Sequence, residues 1–447
     1  MGDVPRSGLT AKLAERAAIL KLADVPEDVV ELARHALLDW FAVTLAGSAE
    51  PAARLVRETV GASGAGECTV VGRAGRLPAR DAALVNGTAS HALDFDDVNM
   101  RVVCHVSAAV VGAALALGER LDASGEELLA AYVAGYETAS RVAVAIGPEP
   151  YLRGFHATGT VGAFGAAAAC ARLLGLDPGA TARALGIAAS GAAGVKRNFG
   201  TMTKPLHAGR ACETGLLAAE LAGRGFTAAT DAIEADQGFA AICGGGCDSE
   251  AALADPPAGW HLRENLFKFH AACYYAHSAI EGVSGLREEH GLTADRVRAI
   301  RLRIGASERG ACTIAAPGTG LEVKFSIAHL AAMALLGRDT VLIGDEAARD
   351  EEAIAARGLV ELLDGKPDGA PTRVEIVLDD GTELATERDV NSPETDPTRR
   401  SARLERKYRA LAEPVLGREA SERLRALLEG CERARVRELA AAAAGDA

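Results

Sequence analysis

Two runs of small residues constrain this chain more than any other feature. SAAVVGAALALGER (107–120) and VGAFGAAAACARLL (161–174) show no polar stripe at helical spacing. A helix that is apolar all round belongs in a protein core or in a membrane. Each run has only about a dozen residues between charges, short of the ~20 that a membrane span needs. The expectation is a soluble, cytoplasmic protein with no membrane partner, built from helices that touch through Ala and Gly. Aromatic residues make up only 4% of the 447 residues and leave those contacts to small side chains.

The rest of the pattern builds outward from these runs. Residues 9–23 and 26–47 read as helices. In the second, Pro26 fits the first helical position, Glu27 and Asp28 suit the N-terminal dipole, and Gly47 can stop it. ECTVVGRAGRLPARDAALVNG (67–87) offers a short strand or turn, then a helix ending near Gly87. Helical patterns continue over 107–122, 125–145, 158–174, 179–195 and 205–223.

The texture changes after about residue 260. In RVRAIRLRIG (296–305), Ile300, Leu302 and Ile304 recur at period two, which predicts a strand. TRVEIVLDDGTELATERDV (372–390) does the same with Val374, Ile376 and Leu378, and its Asp380-Gly381 is a hairpin signal. Helices are expected near 274–290, 325–336 and 345–364. The charged stretch 397–440 is helical again and is expected to rejoin the first set of helices. The final AAAAGDA is expected to fray. The fold class is therefore mainly α: a large all-helical domain (1–259 with 395–447) and a smaller α+β domain (260–394).

A formal net charge of -13 argues against non-specific nucleic-acid binding, which needs clustered Lys and Arg. Nine scattered cysteines fit free thiols in a reducing compartment. CGGGC (243–247) reads as a glycine-rich loop rather than a metal site. MGDVPRSGLTAKLAERAAIL lacks the apolar core of a signal peptide.

Chemistry concentrates in four segments: HALDFDDVNMRVVCHVS (91–107), YLRGFHATGTVGAFG (151–165), KRNFGTMTKPLHAGRA (196–211) and FKFHAACYYAHSAIEG (267–282). Six of the ten histidines fall there. Histidine is the side chain that most readily exchanges protons near neutral pH. Each segment has a plain alternative: DFDD as a solvated turn, His156 as a capping histidine, Lys204 as a surface lysine. His91 and His105 beside the aspartates raise a metal site, but no H-x-x-x-H or paired C-x-x-C supports one, and no metal is expected. The GTVGAFG glycines lack the preceding strand of a dinucleotide fingerprint, and no Walker loop, G-x-S-x-G or H-E-x-x-H occurs. Together the residues describe a pocket for a carboxylate-bearing substrate. Lys204, His105, His156, His207 and Arg210 supply its cations, and a histidine or the lysine moves protons. Asp94 holds a histidine tautomer or keeps a lysine charged.

At NGTASHALDFDD (86–97), GFHATGTVGAFGAAAACARLLGLD (154–177), FGTMTKPLHAGRACETGLLAAELAGRGFT (199–227) and HSAIEG (277–282) the chain resembles the MmgE/PrpD family, collinearly over nearly its whole length. The resemblance implies a helical domain formed by both chain ends, an α+β lid domain, an active site between them, a homodimer, and no cofactor. It implies Asp94, His105, His156 and Lys204 as the catalytic set. His207 and His277 lie in the same motifs, and with Arg210 and Arg309 they make up the expected substrate-binding set. The activity implied is a 2-methylcitrate dehydratase-like hydro-lyase on a small di- or tricarboxylate. Alternatives are an iminodisuccinate-type epimerase, a cis-aconitate-type decarboxylase, and last a non-catalytic dimeric binding protein. Three departures bear on the substrate: Val98 stands where the family often has threonine, Val106 stands where it has proline after the histidine, and Arg309 and Gly310 occupy the place of a lid tyrosine.

Overall fold

The computed structural model describes residues 8–62, 64–367 and 370–445. The first seven residues of the chain, and the last two of the AAAAGDA tail, lie outside them. The chain is mainly helical, with a four-stranded sheet confined to its C-terminal part.

The two small-residue runs form the helices Val106–Leu121 and Ala157–Leu173, both almost wholly buried. Around them lie Glu27–Gly47, Ala79–Ala92, Gly125–Ile146, Pro178–Gly191 and Thr203–Gly223. Small residues set how near these helices come. A Cβ on Gly135 would sit 2.6 Å from the Gly165 carbonyl oxygen, so Gly125–Ile146 and Ala157–Leu173 cross backbone to backbone. Among the described residues no helix is long and apolar enough to cross a membrane.

Several boundaries differ from the sequence pattern. The helix expected to end near Gly87 runs on to Ala92. Gly87 marks a close approach instead: a Cβ there would lie 2.9 Å from Gly209 Cα on the neighbouring helix. The first helix stops at Ile19 and a separate turn, Leu22–Asp24, follows. Pro26 caps the second helix, which begins at Glu27. The 345–364 segment is not one helix. It breaks into Asp345–Arg349 and Glu351–Arg357, and then Val360–Leu363 becomes a strand. Gly358 ends the helix, and the apolar residues after it join the sheet edge. The tail is more ordered than expected, since the helix Val436–Ala442 reaches into AAAAGDA and Ala444 bridges to Val71.

The sheet runs Val360–Leu363, Val297–Arg303, Thr372–Leu378, Glu383–Arg388. The first pair is parallel, with Ile300 opposite Val360. The others are antiparallel, with Ile300 opposite Ile376 and Ile376 opposite Leu384. Asp380-Gly381 makes the hairpin: Gly381 takes φ +87°, and the Leu378 amide donates to the Thr382 carbonyl at 2.9 Å. One face of this sheet packs on the helices His277–His290 and Ile327–Leu335 to form a core of its own.

The main core contains both chain ends. Leu9, Trp40, Tyr132 and Phe164 share it with Tyr408, Leu424 and Leu439. Lys407, on the returning helix Pro397–Leu416, reaches across to Asp39 Oδ1 at 2.6 Å and donates to the Phe95 carbonyl at 2.7 Å. The tail therefore holds the DFDD segment in place from behind.

Candidate active site

The site is organised by one turn. The helix Ala79–Ala92 ends, and the chain reverses through Asp94 at φ +51°, a left-handed conformation that Asp tolerates better than most residues. A small loop closed by the Asn99–Cys104 bridge then leads to His105, which caps the helix Val106–Leu121. Asp94, Asp96 and Asp97 are at most 2% exposed. Buried carboxylates need partners or must be neutral, and these three find different solutions.

Asp94 sits between two ammonium groups. Lys204 Nζ lies 2.9 Å from Oδ2 and Lys268 Nζ 2.6 Å from Oδ1. Lys268 also donates to the Asp94 carbonyl at 2.8 Å and the Ala272 carbonyl at 3.1 Å. Burial alone would raise the Asp94 pKa; Lys204 and Lys268 reverse this and hold it well below the usual range. Lys268 is wholly buried, so of the two only Lys204 lines the cavity and can meet a ligand.

Asp96 serves two histidines. His91 Nδ1 lies 2.9 Å from Oδ2, and His105 Nδ1 approaches the same oxygen at 3.0 Å, bent off the ideal N–H line. Burial pushes His91 down to about 4 and lowers His105, so both rings are neutral at pH 7. With Asp96 as the nearest acceptor, the proton of each ring sits on Nδ1 and each Nε2 carries a lone pair. Only His105 can use it on a ligand, because its side chain is 11% exposed while that of His91 is fully buried.

Asp97 takes the neutral route. Its Oδ2 accepts from Ser107 Oγ at 2.6 Å and Asn265 Nδ2 at 2.7 Å, while Oδ1 has no partner among the described residues. Burial, and then the nearby Asp39, push its pKa up to about 7. A carboxyl whose folded pKa is raised favours the fold below its unfolded pKa and loses that advantage as pH rises through the folded value. The window is pH ~4–7, and the shift is worth on the order of 3–4 kcal/mol. Asp97→Asn should therefore flatten this part of the stability profile. In denaturant titrations from pH 5 to pH 8, its gain over wild type is expected to grow with pH. Parallel profiles for the two proteins would show that Asp97 is ionised in the fold throughout.

His156 caps the helix Ala157–Leu173, and its Nδ1 lies 3.0 Å from Nδ1 of His207. Burial and the neighbouring His91 and Lys204 hold His156 well below the usual histidine range, and burial and Lys204 lower His207 too. Two neutral rings meeting nitrogen to nitrogen share one proton. Asp94, His105, His156 and Lys204 line a single small cavity, with Val98 and Phe325 on its apolar side. Tyr151, Tyr274, Tyr275 and Phe199 complete its mouth.

The four residues expected to be catalytic thus come together, from three separate segments. The expected binding residues divide. His207 backs His156. His277 is buried behind the pocket, its Nε2 3.2 Å from the Ala272 carbonyl. Arg210 points outward with its side chain 60% exposed and pairs with Glu213. Arg309 pairs with Asp364 at the surface, beside Lys196 and Arg197 at an outer groove. Two residues had no role in the sequence reading. Lys268 could have been found as a lone lysine between Phe267 and Phe269 in an otherwise apolar stretch. Asp96 could not, because its partners His91 and His105 lie on either side of an irregular loop.

The atoms of His91, Asp94, Asp96 and His105 that could bind a metal all lie within 4.8 Å of one another. Both Asp94 oxygens already face lysine ammonium groups, and both histidines turn Nδ1 to Asp96. A divalent cation here would have to displace two fixed cations, so the donor set does not fit one.

The fold and this site define a mainly helical protein in which aspartate, histidine and lysine side chains gather around one cavity. The sequence matches the MmgE/PrpD N-terminal domain over residues 11–252 and the MmgE/PrpD C-terminal domain over residues 270–433. The chain belongs to the MmgE/PrpD enzyme family. It is 27% identical to the cis-aconitate decarboxylase of Aspergillus terreus, over 96% of this chain and 94% of the relative. It is 28% identical to the cis-aconitate decarboxylase of Mus musculus, over 92% of this chain and 88% of the relative. The human cis-aconitate decarboxylase is 38% identical over a shorter stretch, 37% of this chain and 36% of the relative.

Proposed function

We propose that this protein is a cofactor-independent lyase that removes a proton from the carbon beside a carboxylate of a small di- or tricarboxylate. The observation carrying this reading is the clamped Asp94 with its two lysines, set against a neutral His105 whose Nε2 faces the same cavity. Proton loss beside a carboxylate pushes charge onto that carboxylate's oxygens. Lys204 meets this charge from a wall formed by Phe325 and Phe199, whose ring centres lie 4.9 and 5.4 Å from its Nζ. Water is scarce there, so the electrostatic stabilisation is strong.

His105 Nε2 is the base, and Asp96 fixes its tautomer. When His207 donates from Nδ1 to His156 Nδ1, His156 carries its proton on Nε2 and becomes the acid. In a dehydration, the C–H electron pair forms the new double bond. Hydroxide leaves the adjacent carbon with the proton of His156. The decarboxylase relatives, matched over nearly the whole chain, favour a second reading: loss of CO2 leaves the electron pair of the broken C–C bond as a carbanion, quenched by a proton from one of these histidines.

Proton NMR in D2O, with and without EDTA, tests the proposal on citrate, 2-methylcitrate, cis-aconitate, malate and iminodisuccinate. A new alkene or its hydrated partner, unaffected by EDTA, is the expected result. Loss of CO2 from cis-aconitate would select the second reading. Deuterium uptake with no new compound would replace lyase by epimerase. No change on any acid would overturn the proposal.

A further inference from the structure

A second cavity adjoins the catalytic one and shares Met100, Val103, Tyr274 and Tyr275 as walls. We propose that it is a subsite for an uncharged, hydrogen-bonding arm of the substrate. This rests on the function proposed above and narrows it. The preferred acid carries an amide or hydroxyl group on the arm pointing away from the reacting carbon.

Two observations carry the inference. Ser278, at the start of the helix His277–His290, and Thr372, first in its strand, line this cavity and are only 5% and 3% exposed. Neither hydroxyl has a hydrogen-bond partner among the described residues. Each hydroxyl is therefore free to donate to or accept from a group that enters the cavity. These two face a space large enough to hold part of a ligand.

The charges here are already satisfied. Lys366 Nζ lies 2.7 Å from Glu308 Oε1 and donates to the Ala370 carbonyl at 3.0 Å. Glu308 also accepts from the Gly305 amide at 3.0 Å. A second carboxylate arm would find no unpaired cation among the described lining residues, and burying it unpaired is unfavourable. A carboxamide, with donors and an acceptor, matches Ser278 and Thr372 at almost the same size. Met100 and Val103 suit the methylene stem.

The test compares cis-aconitate with its distal monoamide, by turnover and by calorimetric binding, in wild type and in a Ser278→Ala/Thr372→Val double variant. The expected wild-type preference for the monoamide in kcat/KM is about tenfold, as for one well-made hydrogen bond. The double variant should lose that preference and bind the monoamide about tenfold more weakly. A wild-type preference for cis-aconitate, or a monoamide preference that survives in the double variant, would overturn the subsite. Absence of turnover on both acids, with the binding difference retained, would overturn the lyase reading and leave the subsite standing as a binding site. Absence of both would overturn the two together.

Discussion

His105→Ala is expected to lower kcat by about 10²–10⁴, the usual contribution of a positioned general base. The ring reaches the cavity with Nε2 while Nδ1 turns to Asp96, so its removal takes away the group placed to accept a proton. His91 offers an internal comparison. It shares Asp96 and is equally neutral, but it is fully buried and cannot touch a ligand. His91→Ala should act only through the position of Asp96 and cost far less than His105→Ala. Steady-state kinetics on whichever acid is turned over gives both numbers. A His105→Ala enzyme that keeps more than half its activity would remove His105 from the chemistry.

The second large effect is on stability. Lys268→Met is expected to destabilise the protein by about 3–5 kcal/mol, the range for breaking a buried ion pair from one side. Lys268 is entirely buried, and its ammonium makes three short contacts, to Asp94 Oδ1 and to the carbonyls of Asp94 and Ala272. It also holds Asp94 in its left-handed turn, so the consequence reaches the shape of the site. Adding Asp94→Asn to Lys268→Met should recover much of the loss, because the uncompensated carboxylate goes with it. Denaturant unfolding of both variants and wild type measures this. A Lys268→Met loss below about 1 kcal/mol would mean that Asp94 is adequately held by Lys204 alone.

Much of this molecule is legible in its sequence because local pattern and tertiary role agree. The small-residue runs could only be buried helices, and the period-two stretches at Ile300 and Val374 could only be strands. The four catalytic candidates were visible as ionisable groups set among small and apolar residues. What was hidden depends on contacts between distant segments. Gly87 looked like a helix end, yet Gly209, more than a hundred residues later, makes it a crossing point. Val360–Leu363 looked like the end of a helix, and the waiting edge of the strand Val297–Arg303 turned it into a strand. Arg210, in the family motif, looked like a pocket cation, and its place on the helix turns it to solvent beside Glu213. Asp96 looked like one acid of a wet turn; its two histidines become visible only when the loop to His105 is closed.

The most direct test of the proposed chemistry is the pH dependence of kcat/KM in wild type and Asp96→Asn. Catalysis requires neutral His105, so kcat/KM should fall on the acid side with a midpoint below the ordinary histidine value. Burial lowers the His105 pKa and the Asp96 carboxylate partly raises it again. Removing that charge should move the acid limb to still lower pH while reducing kcat, because the tautomer is no longer fixed. A limb that stays in place in Asp96→Asn would contradict the assignment of His105, positioned by Asp96, as the base.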